Sequence, residues 1–196
     1  MARYEADGYS TIYSHGVVSI WSALEVYIDG LIVDLISFDK EMLGSPALQK
    51  TKIALAVYEA MSANERVEYL IDSVQRELNA KFKRGITQFE CVFEAFGLSG
   101  LVDNGLDRVF IEFSALRNSI VHRRSIVDKR LVNSCPWMNL VAGAHIKITN
   151  KMLDRFMAIS VLYVLILQRR IETKYGNVSS WTMHALSVVR EECGPL

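Results

Sequence analysis

The chain has 196 residues, 51% of them apolar and only three of them proline, so it is long enough for one well-filled core and leaves little room for disorder. Lys plus Arg and Asp plus Glu balance at 22 each, which excludes an overall positive charge that would draw the molecule to nucleic acid or anionic lipid; any anion-binding surface has to be local. Three cysteines, Cys91, Cys135 and Cys193, are odd in number, lie far apart and include no C-x-x-C pair, which argues against a disulfide framework and a zinc site and fits a reducing cytoplasm.

Met1 to Ser10 carry Glu5 and Asp7 and lack the basic stretch and apolar block of a secretion signal. From Thr11 to Ser37, apolar residues such as Val17, Trp21, Leu24, Ile28, Leu31 and Leu35 recur at helical spacing and predict a long core helix. Ser45-Pro46 is a cap followed by proline at a first helical position, and predicts a helix through about Met61. Ser62-x-x-Glu65 has capping-box spacing and opens the next helix, carried to about Phe82, where Lys81, Lys83 and Arg84 precede Gly85. A short helix spans Thr87 to Phe96, and Gly97, Gly100 and Gly105 mark the loop before a helix from about Asn104 to His122.

Arg123 to Thr149 contains Pro136 and Gly143 and has no sustained period, so it reads as a long loop with an extended piece at His145 to Ile148. Thr149 caps a helix to about Lys174, and Ser179 or Ser180 opens a last helix through Val189. The apolar run Phe156 to Leu167, bounded by Asp154, Arg155, Arg169 and Arg170, falls short of the roughly 20 residues that cross a bilayer and reads as a buried helix, with no membrane partner expected. No repeat or linker divides the chain, so residues 1–196 are expected to form one all-α domain, a bundle of about six or seven helices.

The helix carrying Arg117 to His122 is the one with pointed chemistry. With Leu106 at zero and about 100° per residue, Val109, Phe110, Phe113, Leu116, Ile120 and Val121 fall within roughly 80° and make an apolar stripe, and Arg117 falls in its middle. A guanidinium aimed at a core or interface is costly unless it is paired, so an anion is expected against it. Glu25, one turn from Asp29 in the first helix, is one partner; a phosphate is the other. His122 lies about 140° round from Arg117, so the two converge only if the helix ends or unwinds at His122 or if a second, symmetry-related chain completes the site. A histidine at a helix C-terminus is also favoured in its protonated form, which suits proton transfer. Arg123, Arg124, Lys129 and Arg130 follow, opposed in that interval only by Asp128, and are the candidates for holding backbone phosphates.

The pattern Leu116-Arg117-Asn118-Ser119-Ile120-Val121-His122 resembles the signature of HEPN domains: arginine, often a polar residue next, then histidine after four to six residues. Trp21 to Glu25 looks like that family's opening helix and Ile146 to Ile171 like its closing one, so the resemblance covers approximately 11–174, with the helix at 179–192 appended. It implies a small helical bundle that dimerises, with arginine and histidine of both protomers facing a shared cleft. It further implies a metal-independent endoribonuclease, often a toxin or antiviral defence effector, with no cofactor. His122 would then act as general base or acid for attack of the ribose 2′-hydroxyl on phosphorus, and Arg117 would stabilise the charge of the transition state. Asn118 would orient one of them, and Glu25 would buttress Arg117. Arg124 and Ser125 stand where many members have a glycine.

The implied partners are RNA, a second copy of the chain and an antitoxin or regulatory protein. The alternative is a noncatalytic helical module that binds protein or nucleotide, in which Arg117 pairs with Glu25 and His122 caps its helix. The other histidines, His15, His145 and His184, show no mutual spacing of a ligand set, and no P-loop, G-x-G-x-x-G or G-x-S-x-G occurs. Tyr4, Tyr9 and Tyr13 could stack on bases but are expected to pack.

Overall fold

A computed structural model describes residues 8–194; Tyr4, Glu5 and Asp7 lie outside the described residues. It is all-helical, with nine α-helices and no strand among the described residues. The helices are α1 (Ser10–Phe38), α2 (Pro46–Gln49), α3 (Leu55–Ala60), α4 (Ala63–Glu77), α5 (Thr87–Ala95), α6 (Asn104–Arg123), α7 (Lys129–Ser134), α8 (Asn150–Lys174) and α9 (Ser180–Cys193). Short 3-10 turns occupy Lys40–Gly44, Ala80–Phe82 and Pro136–Met138. The chain divides into two compact units, one running up to Leu24 and resuming at Val102, the other spanning Glu25–Leu101.

In the first unit α1 contributes Val17, Trp21 and Leu24, α6 Leu106, Val109, Phe110, Phe113 and Leu116, and α8 Phe156, Ile159, Leu162, Tyr163 and Leu167, all buried. Aromatic rings tie the three helices together: Phe113 stacks on Phe156 at 4.6 Å and meets Trp21 edge-on at 4.9 Å, while Phe110 meets Tyr163 at 5.4 Å. Such pairs add about 0.5–1.5 kcal/mol each to the burial of their area. Helices α1 and α8 approach closely at Gly16, where a Cβ would come within 2.9 Å of Leu153 Cδ1. The Ser10 hydroxyl accepts the Ile148 amide at 2.9 Å, so the N-terminus of α1 is also pinned to the approach of α8.

The expected loop between α6 and α8 is largely structured. Asp128 accepts the Leu131 amide at 2.8 Å and caps α7, Pro136 starts a 3-10 turn, and Ile126 pairs antiparallel with His145. Helix α7 was not visible as a period because six residues are too few to display one. Helices α8 and α9 begin as predicted, with Thr149 accepting from the Met152 amide and Ser179 from the Thr182 amide. Glu172 fastens the two together: its carboxylate accepts from Gln168, from the Ser179 amide and from the Thr182 hydroxyl, the last at 2.7 Å.

In the second unit α1 continues with Ile28, Ile32, Leu35 and Ile36 inward, beside buried Met42, Leu48, Ile71, Val74, Phe89, Val92 and Phe93. The helix expected from Pro46 to Met61 is two helices, broken at Lys50–Ala54. Only Leu48 of α2 is buried and no residue of α3 is, so no continuous apolar face holds one long helix together, and the Tyr69 hydroxyl engages the Lys52 carbonyl at 3.0 Å. The helix expected to reach Phe82 stops at Glu77, because Asn79 turns left-handed at φ 49°. Asparagine tolerates that conformation better than most residues, which makes it a stop signal second to glycine. The capping box at Ser62 and Glu65 forms as its spacing implies.

One helix among the described residues, α1 and not the Phe156–Leu167 run in α8, is long and apolar enough to cross a membrane by length and composition. Its buried residues follow a helical stripe in each unit, the pattern of an amphipathic helix with one face packed inward.

Candidate functional site

Asp103 opens α6 by accepting the Gly105 amide at 2.8 Å, and the helix then runs without interruption through His122 to Arg123. Its buried face is rolled relative to the one read from the sequence. Glu112 and Ser119 are buried, whereas Val121, assigned to the apolar stripe, is 47% exposed and Ile120 is only half-buried. The roll moves Arg117 from the middle of the stripe to its margin. There its side chain is half-buried, and Nη1 donates to Asn118 Oδ1 at 3.1 Å. Asn118 thus accepts from the guanidinium from the next position in the chain. Glu25 belongs to the unit Glu25–Leu101, where it lines a cleft with Asp29 and Gln75.

His122 is exposed on the last turn of α6. The helix neither ends nor unwinds there, which removes the route that would bring His122 to Arg117 within one chain and leaves the one through a second copy. In a regular helix the two are about 140° and 7.5 Å of rise apart. Termination comes two residues later. Arg124 and Ser125 both adopt the left-handed region, at φ 54° and 59°, and both amides return to the Ser119 carbonyl. These are the positions at which the resemblance leads one to expect glycine. The backbone adopts the glycine-like conformation without glycine.

In the sector between Arg117 and His122, α6 presents from Ile111 onward a strip with no acidic side chain and no lysine or arginine: Ile111, Ser114 and Ala115 are half-buried, and Asn118, Val121 and His122 are exposed, with Asp107 one turn before it. Of the four basic residues, Arg123 pairs through Nε with Asp128 at 3.4 Å, on the same carboxylate that caps α7. Arg124, Lys129 and Arg130 are exposed. Lys129 and Arg130 stand in the first turn of α7, where positive charge opposes the helix dipole, so local helix stability does not explain them. Among the described residues no group of three or more His, Cys, Asp or Glu is placed to hold a metal ion.

One polar cluster was missed by sequence reasoning. Glu112, one of the few buried charged residues, accepts from the Trp137 indole nitrogen and from Arg155 Nη1, the latter at 3.1 Å. Arg108 lies over the Trp137 ring at 4.6 Å. The four residues join α6, the 3-10 turn at 136–138 and α8. Their partners are 25 and 43 residues apart in sequence, beyond any local periodicity. The only advance signal was a carboxylate midway along a helix of apolar character.

Compared with protein-family models, with curated proteins and with solved structures, the chain matches none.

Proposed function

We propose that the protein is a metal-independent endoribonuclease of the HEPN type, acting as a homodimer, with Arg117 and His122 as its catalytic pair and Asn118 orienting the guanidinium. What carries the reading is the placement of both groups on one unbroken helix, at either side of an uncharged and partly exposed strip. Within one chain they diverge. Two copies of α6 crossing at Asn118 and Val121 would place Arg117 of one copy opposite His122 of the other, around a single scissile phosphate.

In that arrangement the imidazole removes the proton of a ribose 2′-hydroxyl as the oxygen attacks phosphorus. The 5′-oxygen of the next nucleotide leaves, protonated by an imidazolium, and a 2′,3′-cyclic phosphate remains. Arg117 offers N–H donors to the phosphoryl oxygens as their charge grows, an interaction that strengthens in the transition state. Arg124, Lys129 and Arg130, exposed just beyond His122, would hold neighbouring phosphates. A toxin or antiviral effector with an antitoxin or regulatory partner is the biological setting that the resemblance suggests.

The second reading, a noncatalytic interaction module, is favoured by the half-burial of Arg117 and its hydrogen bond to Asn118, which give the guanidinium a structural role without RNA. Incubating purified protein with single-stranded RNA in EDTA, and repeating with His122→Ala, separates the two. Cleavage that survives EDTA and is lost in the variant supports the enzyme; cleavage abolished by EDTA, or equal in both proteins, rules this site out.

A further inference from the structure

Two arginines gather at Trp137 around a single buried carboxylate, within the same unit as Arg117 and His122. The indole donates to Glu112, Arg155 donates to the same carboxylate through Nη1 at 3.1 Å, and the Arg108 guanidinium lies over the indole ring at 4.6 Å. Glu112 therefore offsets only one of the two positive charges. Arg108 is exposed and forms no ion pair among the described residues, and Arg155, with its side chain 46% exposed, keeps its remaining N–H donors. Asp107 and Asp154, their neighbours in sequence, project about 100° away on their helices, and Asp154 already accepts from Asn150 at 2.9 Å.

This cluster is in line with His122. Arg108 stands about 21 Å along α6 from His122 and about 40° round it, on the same side of the helix, whereas Arg117 is about 180° round from Arg108. Helix α7 runs alongside, tied to α6 at one end through Arg123 and Asp128 at 3.4 Å and at the other through Trp137 and Glu112. The exposed cations Lys129 and Arg130 begin the segment that ends in Trp137, so they stand between His122 and the cluster. Unpaired bases are stacked by proteins on aromatic rings or on arginine guanidinium planes, and the indole beneath Arg108 holds in place a side chain that is otherwise free to move.

We infer that Arg108 on Trp137 is a base platform for single-stranded RNA: a nucleobase several nucleotides along the strand from the scissile phosphate stacks on the outer face of the guanidinium, and the adjoining phosphate accepts from Arg155. Duplex RNA is disfavoured, because its bases are already stacked on one another. The inference rests on the cleavage reading for the identity of its ligand, but uses none of the residues proposed there as catalytic or phosphate-binding.

The probe is a single-stranded 2′-O-methyl octanucleotide, which has no free 2′-hydroxyl to attack and so reports binding alone, measured by fluorescence anisotropy on the full chain. Arg108→Ala should weaken it about tenfold, the scale of one stacked base, and should weaken a duplex of the same length much less. Arg108→Lys, which keeps the charge but not the plane, should not restore the affinity. Arg190→Ala, which removes an exposed arginine on α9, should leave it unchanged. Arg155→Gln, which can still donate to Glu112, should lower the slope of log affinity against log salt by about one. Melting curves of the free proteins verify folding. Full restoration by Arg108→Lys overturns the platform, because charge alone then explains the binding. So does an affinity unchanged in Arg108→Ala, or an octanucleotide that wild-type protein does not bind; an unchanged salt slope in Arg155→Gln removes the phosphate contact. Cleavage of unmodified RNA in EDTA is read separately. Cleavage with binding indifferent to Arg108 sinks the platform and spares the catalytic pair, and binding that depends on Arg108 without any cleavage does the reverse.

Discussion

Trp137 donates its indole N–H to the buried carboxylate of Glu112, and so anchors the turn that follows α7 to the middle of α6. Arg155 reaches the other carboxylate oxygen from α8 at 3.1 Å, with its own side chain 46% exposed. The carboxylate is thus the costly partner and the arginine the solvated one. Trp137→Phe preserves most of the packing but leaves a buried carboxylate oxygen without its donor, at a cost of about 1–3 kcal/mol. Glu112→Leu removes the buried charge altogether and frees Arg155 to water; it leaves the Trp137 indole N–H without its acceptor, but a neutral donor on a half-buried ring is cheaper to strand than a buried carboxylate, so it should cost less than Trp137→Phe despite deleting two interactions. Urea denaturation of the two variants checks the order; a more damaging Glu112→Leu would mean that the ion pair itself carries the stability.

The proposed site makes a prediction that a single-chain site does not. If Arg117 of one copy works with His122 of the other, Arg117→Ala and His122→Ala are each inactive, by about 100-fold or more. Mixed at equal concentration and allowed to exchange, half the dimers become heterodimers with one intact site of two, restoring about a quarter of wild-type cleavage. Cleavage of a fluorescent RNA in EDTA is the measurement. Failure of the mixture to recover, with exchange verified by native mass spectrometry, would place both residues in one chain's site or in none.

How much of this was legible in advance depended on how local each signal is. The caps Ser62, Thr149 and Ser179 mark helix starts because the side chain satisfies an amide two or three residues away, and α4, α8 and α9 begin where those residues stand. The break at Lys50–Ala54 was hidden because it follows from what α2 and α3 fail to bury. The roll of α6 was hidden for a related reason. Periodicity located its apolar stripe, but Glu112 is drawn inward by Trp137 and Arg155, which are distant in sequence, and the same rotation turns Val121 outward and Arg117 to the margin. Arg117, Asn118 and His122 could be chosen from the motif alone, yet their directions depend on that rotation.

The close of α6 can be tested by relieving it. A non-glycine residue in the left-handed region costs about 1 kcal/mol, and Arg124 and Ser125 adopt it in succession. Ser125→Gly should raise stability by about 0.5–1 kcal/mol in thermal or urea unfolding and leave RNA affinity unchanged. Arg124→Gly should stabilise by a similar amount while weakening RNA binding, because it deletes an exposed cation beside His122. Equal RNA affinity of Arg124→Gly and wild type at low salt would remove Arg124 from the phosphate-binding set.

Glu172 gives the molecule an acid-sensitive joint. Hydrogen bonds from Gln168, then Thr182 and Ser179, favour its charged form and hold its carboxyl below the usual glutamate range. A carboxylate with a depressed folded-state pKa adds stability that is complete above its unfolded value, about 4.3, and is lost as pH falls through the depressed value. Protonation leaves the Ser179 amide, the Thr182 hydroxyl and the Gln168 amide competing for a neutral acid, so the start of α9 should loosen from α8 below pH of about 4. Glu172→Gln should be less stable than wild type at pH 7, and the gap between them should narrow steadily as pH falls. Melting temperatures of both proteins across that range provide the measurement. A gap that stays constant with pH would show that the carboxylate's charge contributes nothing to the joint and that shape alone closes it.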